Sequence, residues 1–412
     1  MITKNSFQIV CSKSVFAVVA LGLASTAFAA AFKPLEQSIT NLGNAYAGTA
    51  AYASDASTGY YNPAGLANLT ESQISLSLGY SLADSKLTAK TATDVDSSNL
   101  LLGTQNPYSP DEKNFLSGFH AAWVLNDSVN ASLNIVTPYA LNTEYERTSF
   151  ARAISLQSEI TTINVSPSVS YKINKELALG AGIDWLRLDI KLQNQPSTGF
   201  VENQGDGDAF GYHLGMMWQP SSAIRMGLTY NSAINIDAEG RRSGDNILFL
   251  TAIKLPNTLT YSVLSIIDEN WVLMADLQWT HWSRMEDLTL RYADNTTSIE
   301  KFNYANTWRF ALGADYKPSN YINNVILKFG AAYEQSPTVD AYRSARIPDG
   351  DRWWFSLGLH WYVNRNLSFD FGYSYISVND VSINQNSAGA VFAGNYESLL
   401  HVFGAQVNWK FI

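Results

Sequence analysis

The sequence predicts an all-β fold: a transmembrane antiparallel barrel of 14 strands. Three observations lead there. Side chains alternate apolar and polar along almost the whole chain, the mark of half-buried strands. The apolar sides have no compact core to share, and lipid supplies one. Short and long connections alternate, as they do in outer-membrane barrels.

Residues 1–29 read as a secretory signal. Lys4 and Lys13 make the positive start, Val15 to Leu23 the apolar run, and Ala27-Phe28-Ala29 the small-residue cleavage site. Its removal takes the formal charge from −9 to −11, and an acidic envelope protein is a poor partner for nucleic acid. The single Cys, Cys11, falls inside the signal, so the mature chain has no disulfide or thiolate metal site. Charged residues are only 15% and mean hydropathy is −0.09, too low for a helical membrane protein. Aromatics reach 13%, which suits interfacial girdles.

Residues 30–72 differ in composition: rich in Ala, Gly, Ser, Thr and Asn, without alternation. The stretch is too long for a linker and too apolar for a disordered tail. Its small residues, among them Ala45, Ala47 and Gly48, permit tight backbone packing. On composition alone it reads equally as a lumen plug or as a periplasmic lead-in.

Residues 73–412 carry the barrel. Ile74, Leu76, Leu78, Tyr80 and Leu82 share one side, opposite Ser75, Ser77, Gly79 and Ser81. The same alternation runs through Val129–Ile135, Phe210–Trp218, Trp271–Trp279, Trp308–Tyr316, Trp353–Trp361, Leu367–Tyr375 and Phe403–Phe411. Tight turns fall at Asn126-Asp127, Asn174-Lys175, Pro220-Ser221, Asp268–Asn270, Pro318–Asn324 and Asn364–Asn366. Seven longer segments lie between them: 84–115, 138–160, 192–208, 233–256, 283–304, 335–350 and 380–396. Six turns and seven loops require fourteen strands, and that even number puts both termini on the periplasmic side. Trp271, Trp279, Trp308, Trp353, Trp361 and Trp409 sit near strand ends, where an indole straddles water and lipid. A soluble propeller or β-helix is disfavoured, because no repeat of fixed length occurs.

The pattern Glu36-x-Ser38…Leu42-Gly43-x-Ala45-Tyr46-Ala47-Gly48…Asp55-Ala56-Ser57…Asn62-Pro63-Ala64-Gly65 resembles the N-terminal hatch of the FadL/TodX family. Thr137-Pro138-Tyr139, Ser166-Pro167-Ser168-Val169, Leu179-Gly180-Ala181-Gly182, Trp279-Thr280-x-Trp282-Ser283 and Pro348-Asp349-Gly350-Asp351-Arg352 continue the resemblance in order. The family comprises outer-membrane transporters of long-chain fatty acids and related hydrophobic compounds. The resemblance implies a 14-strand barrel corked by the hatch, with Gly43, Tyr46, Gly48, Asn62, Pro63 and Ala64 shaping it. It implies capture of ligand in an outer apolar groove, transfer to a lumen pocket, and lateral release through an inward kink in the third strand. No cofactor and no catalytic residue is implied. The implied partners are a hydrophobic ligand, outer-membrane lipid and lipopolysaccharide, and the barrel-assembly machinery; a monomer is suggested.

Phe32 occupies the position of the family's pocket-reaching hatch aromatic, with simple plug packing as the alternative. Arg187 matches the basic residue late in the fifth strand that would hold a carboxylate. Yet the apolar side switches near Trp185, from Ala181 and Ile183 to Leu186, Leu188 and Ile190. Either a bulge lies there or Arg187 stands outside, above the membrane. Arg309 faces the lumen by strict alternation; a wall ion pair with Asp315 or another acid is the competing role. Ile247, Leu248, Phe249, Leu250, Ile253 and Leu255 are expected to form the outer groove, with Phe249 and Leu250 touching ligand. The third strand, near 128–137, has no glycine, so a kink there rests on Asn130, Asn134 or Pro138. Glu202–Asp208 reads as a solvated outer loop, since it lacks the spacing and closing Glu of a calcium loop. The five histidines have no metal-like spacing. An adhesin or structural barrel, and an outer-membrane lipid hydrolase, are the rival functions; the hatch favours transport, and no motif links a Ser, a His and an acid.

Overall fold

The computed structural model describes residues 31–94, 113–318, 324–387 and 389–411. Fourteen antiparallel strands close into a barrel. They are β1 (Ser72–Ala92), β2 (Lys113–Val124), β3 (Val129–Val136, continued by Ala140–Glu144), β4 (Gln157–Lys172) and β5 (Leu177–Asn194). Next come β6 (Val201–Trp218), β7 (Ile224–Asn231 with Ile234–Arg242), β8 (Leu248–Leu255 with Thr258–Ile266) and β9 (Trp271–Thr280 with Asp287–Tyr292). The last are β10 (Thr297–Lys301 with Thr307–Tyr316), β11 (Val325–Glu334), β12 (Arg352–Tyr362), β13 (Leu367–Ser387) and β14 (Ala390–Phe411). β14 pairs back onto β1, from Ser72↔Phe411 to Ala92↔Phe392, so no strand edge meets lipid there. Five of the six short turns fall where the sequence places them; the other, Pro318–Asn324, lies mostly outside the described residues.

The long connections differ from expectation. Six of the seven carry strand: β1 runs to Ala92, β5 and β6 reach Asn194 and Val201, and β13 and β14 reach Ser387 and Ala390. Glu202–Asp208 is therefore strand, not loop. So is the expected outer groove: β8 turns Phe249, Ile253 and Leu255 inward, while Leu248 and Leu250 face out. The hairpins extend the sheet beyond the bilayer, where side chains face water and backbone ladders remain paired.

Alternation never slips along β5. Leu179, Ala181, Ile183, Arg187, Asp189 and Lys191 all point outward; Gly180, Gly182, Asp184, Leu186, Leu188 and Ile190 all point inward. What changes at Trp185 is the surroundings. Below it, the outside is lipid and the inside is a hydrogen-bonded plug. Above it, the outside is water and the inside is apolar. Outward Leu78, Phe210 and Leu312, 66%, 70% and 68% exposed, show the lipid-facing band of the lower wall. Outward Trp271, Trp308, Trp353, Trp361 and Trp409 border it.

Residues 31–71 fill the lower lumen and are buried almost throughout. Two single-turn helices, α1 (Thr49–Tyr52) and α2 (Thr58–Tyr61), and 3-10 turns at Leu42–Asn44 and Pro63–Asn68 fold the segment. The hatch residues have local roles. Asn62 caps the 63–68 turn by accepting from Ala64 N, and its amide donates to Ala50 O at 2.6 Å and to Met216 O of β6 at 3.1 Å. A Cβ on Gly215 would lie 2.0 Å from Asn62 Oδ1, and one on Gly180 2.3 Å from Ala64 N, so the wall is glycine where this turn docks. Gly43 lies backbone-to-backbone against Gly358. Tyr46 donates to Ser38 O at 2.9 Å and meets Trp354 edge-on. Gly48, at φ +80°, donates its N–H to Asp276 at 2.8 Å.

Candidate functional site

Above the plug, the inward faces of β5, β7, β8 and β9 build a continuous apolar cluster. Leu186, Leu188, Ile236, Phe249, Trp282 and Phe302 belong to it. Phe32, fully buried, forms its floor; its ring packs 5.3 Å from Trp282 and 5.9 Å from Tyr139. The strand extensions place this cluster above the membrane band, and their charged outer faces keep it in water.

Beside the cluster the wall parts. β2 pairs with β3 only from Phe119↔Ile135 to Val124↔Asn130. Higher up, residues 113–118 of β2 have no β3 partner. β3 breaks at Thr137-Pro138-Tyr139, where three residues stand against Thr162 and Ile163 of β4 before pairing resumes at Ala140↔Thr161. Pro138 cannot donate to the ladder, and Thr162 Oγ1 satisfies both Tyr139 N and Tyr139 O, at 3.0 and 2.7 Å. So Pro138, not Asn130 or Asn134, marks the break. The outer side opens as a groove of about 330 Å³ lined by Leu76, Leu78, Phe119, Ile135 and Ile163, with Thr137 and Gln406 deeper.

The plug occupies the place that β2 vacates. The Gln37 amide copies a strand neighbour: it donates to Thr137 O at 2.8 Å and accepts from Thr137 N at 2.9 Å. Ala140 N donates to Phe32 O at 2.9 Å. The Gln37 carbonyl lies 2.9 Å from His120 Nε2 and so close to Gly118 that a Cβ there would sit 2.2 Å from it. One segment, 32–37, therefore floors the apolar cluster and seals the wall.

Polar contacts hold the rest of the plug. Lys328 donates to Thr40 O at 2.7 Å and pairs with Asp370 at 3.4 Å, and Asp370 also meets His360 and Asn408. Arg352 pairs with Asp349, whose other oxygen accepts from Ala31 N. Ser168, His213 and Asp184 form a line, 2.9 Å per contact, that the sequence did not disclose. They lie on three strands brought level by the ladders Ser168↔Gly182 and Gly182↔His213, and strand register was the signal that could have found them. The plug carbonyl of Gly59, 3.2 Å from Ser168 Oγ, covers the serine, so the line joins wall to plug.

The expected site residues separate. Phe32 and Phe249 share the apolar cluster. Leu250 points away from it, 61% exposed. Arg187 takes the second of its two alternatives: it stands outside and pairs with Asp206 at 2.9 Å. Arg309 is buried in the lumen, yet its partner is not Asp315. It donates to the plug carbonyl of Ala45 at 2.5 Å and stacks over Trp354. Asp315 instead accepts from Asn44 and Tyr52 of the plug. Among the described residues no cluster of His, Cys, Asp and Glu has the form of a metal site.

A closed, plugged 14-strand barrel with a lipid-facing band and a buried apolar cluster in its lumen has the architecture of an outer-membrane barrel. A family model described as "Outer membrane protein transport protein (OMPP1/FadL/TodX)" matches residues 20–411, and the chain belongs to that family. It is 25% identical to the "Long-chain fatty acid transport protein" of Escherichia coli O6:H1, over 97% of this chain and 98% of that one. Its fold matches a crystal structure of a Pseudomonas aeruginosa FadL homologue with a TM-score of 0.83 at 23% identity, covering 93% of this chain and 100% of that one. The P. putida toluene transporter TodX shares the fold at a TM-score of 0.61 and 17% identity, over 85% and 92% of the two chains.

Proposed function

We propose that the protein takes up long-chain fatty acids or similar hydrophobic molecules across the outer membrane, without chemistry or cofactor. The observation that carries this reading is the coincidence of pocket floor and wall seal in residues 32–37. Ligand settles in the apolar cluster above Phe32. Displacement of the 32–37 segment then uncovers the gap between β2 and β3, and the molecule leaves sideways into lipid. An amphiphile gains nothing by entering periplasmic water; returning its chain to hydrocarbon recovers about 0.8 kcal/mol per methylene. The relatives named above as fatty-acid transporters support this cargo, and the aromatic lining of the pocket, with the TodX likeness, supports aromatic hydrocarbons as the alternative. Cells expressing the chain without residues 32–43 are compared with wild type for uptake of labelled oleate. Altered uptake with normal heat-modifiable barrel assembly is expected; unchanged uptake contradicts the route. Competition of oleate against toluene in the wild-type chain decides between the two cargoes.

A further inference from the structure

Two buried histidines have more acceptors around them than a neutral ring has protons. His120 on β2 and His213 on β6 each meet a partner at both ring nitrogens. Among the described residues, His281, His360 and His401 are met at Nδ1 alone. A neutral imidazole has one N–H and one bare nitrogen, so it donates on one side and accepts on the other.

Around His213 no partner has a proton to spare. Nδ1 faces Asp184 Oδ2 at 2.9 Å, and a carboxylate only accepts. Nε2 faces Ser168 Oγ at 2.9 Å. That hydroxyl has a single proton, and the plug carbonyl of Gly59, 3.2 Å away, needs it. Pro63, four residues beyond Gly59, has no N–H with which to serve that carbonyl. All three contacts are satisfied together only when Nε2 also donates, which takes the imidazolium. Once the ring is neutral, Ser168 turns its proton to Nε2 and Gly59 O loses its donor. The wall makes room for this reach: the ring crosses β5 at Gly182, where a Cβ would lie 2.2 Å from its Cε1.

His120 repeats the pattern at the gap. Its Nδ1 lies 2.9 Å from Asn134 Oδ1 and its Nε2 2.9 Å from Gln37 O. The Asn134 amide nitrogen donates to Ser166 O at 3.1 Å, which turns its oxygen to the ring. Both neighbours therefore accept, and again only the imidazolium serves both. His120↔Asn134 is the ladder pair next to Phe119↔Ile135, where β2 and β3 part. The ring thus ties β2, β3 and the backbone of the sealing residue together at the lower corner of the gap.

We propose that His120 and His213 are proton-dependent clamps on the plug, positioning residues that hold Gln37 and Gly59 against the wall when charged and loosen them when neutral. Few ionisable groups face them. Asp184 meets His213 from β5, with Asn164 and Ser166 of β4 on the same carboxylate and Tyr60 and Tyr139 nearby; its ladder neighbour on β7 is Asn231. Asp55 of the plug acts on His120, whose ladder neighbours are Ser75 and Asn134. Glu36, beside Gln37, interacts with Glu334, Arg309 and Arg352. The acids at both rings favour the charged form. The clamp is complete in acid and is lost as pH rises.

Hydrogen exchange of the full-length protein in lipid nanodiscs tests this, read as protection factors so that the intrinsic pH dependence of exchange cancels. Peptides covering 31–40 and 55–64 are compared at pH 8 and pH 5, the interval in which an imidazole ordinarily changes charge. Protection is expected to rise in acid about fivefold for each bond restored, with β13 and β14 unchanged. His213→Gln removes the rise at 55–64 and keeps it at 31–40; His120→Gln does the reverse. Ser168→Ala leaves His213 on Asp184 yet also removes the rise at 55–64, which a purely structural imidazole would not do. No rise in wild type overturns the clamps. So does a rise that survives both histidine substitutions, because it belongs to Glu36 or Asp55, and so does a uniform rise around the barrel. The consequence for cargo rests on the lateral route proposed above: uptake of labelled oleyl alcohol, which has no charge to change, should slow in acid. Clamping without slower uptake overturns the route and leaves the clamps standing.

Discussion

Replacing Gln37 by Ala tests whether the plug side chain truly stands in for a missing strand. The substitution removes both bonds to Thr137, at 2.8 and 2.9 Å, and leaves its N–H and C=O facing an apolar groove. Two net bonds at about 1 kcal/mol each lower the cost of parting plug from wall by about 2 kcal/mol. That is roughly a 30-fold larger population of the open gap. Backbone contacts elsewhere, including Ala140 N to Phe32 O, remain. Hydrogen exchange read by mass spectrometry in nanodiscs reports it directly. Peptides covering 31–40 and 137–141 should exchange faster by about that factor, while β13 and β14 stay protected. Unaltered exchange at 137–141 refutes the idea that Gln37 seals the wall. Equal acceleration around the whole barrel refutes it too, because it reports global loosening.

Other outcomes follow from the same geometry. Arg187→Ala removes a half-exposed pair with Asp206 on the outer surface; oleate binding should be unchanged and stability altered by less than about 1 kcal/mol, measured by thermal unfolding. Leu188→Arg places an unpaired charge in the apolar cluster and should abolish oleate binding, read by titration in nanodiscs, without releasing the plug. Asn62→Ala removes a cap and two amide bonds that dock the plug on β6, costing about 2–3 kcal/mol, and limited proteolysis should then cut within the plug segment before the wall.

Strand number and turn positions were legible because period two and the Asn, Asp and Pro turns are local signals. The upper half of β5 was not. Leu186, Leu188 and Ile190 look like a strand that has turned over, because sequence records polarity but not height above the bilayer. The same ambiguity made Phe249 and Leu250 look like joint members of a groove, although strict alternation along β8 sends them to opposite faces. Long loops and strand hairpins above the membrane are equally polar on the outside, so 192–208 and 380–396 could be read as loops. The absence of glycine in β3 obscured the break, which arises from Pro138 together with the Thr162 hydroxyl. Gln37 carried no signal at all: its meaning depends on a backbone edge a hundred positions away.

Cross-linking mapped along the route is the most direct measurement of lateral passage. An oleate analogue bearing a photoreactive diazirine at its tail is illuminated with the full-length protein in nanodiscs, and adducts are located by mass spectrometry. Lateral passage predicts adducts in two places, at Leu188 or Ile236 in the pocket and at Phe119, Ile135 or Ile163 in the groove. Adducts along the lower plug, at Leu66 and Leu69 beside the β1 start, would mean that cargo travels straight down the lumen, contrary to this account.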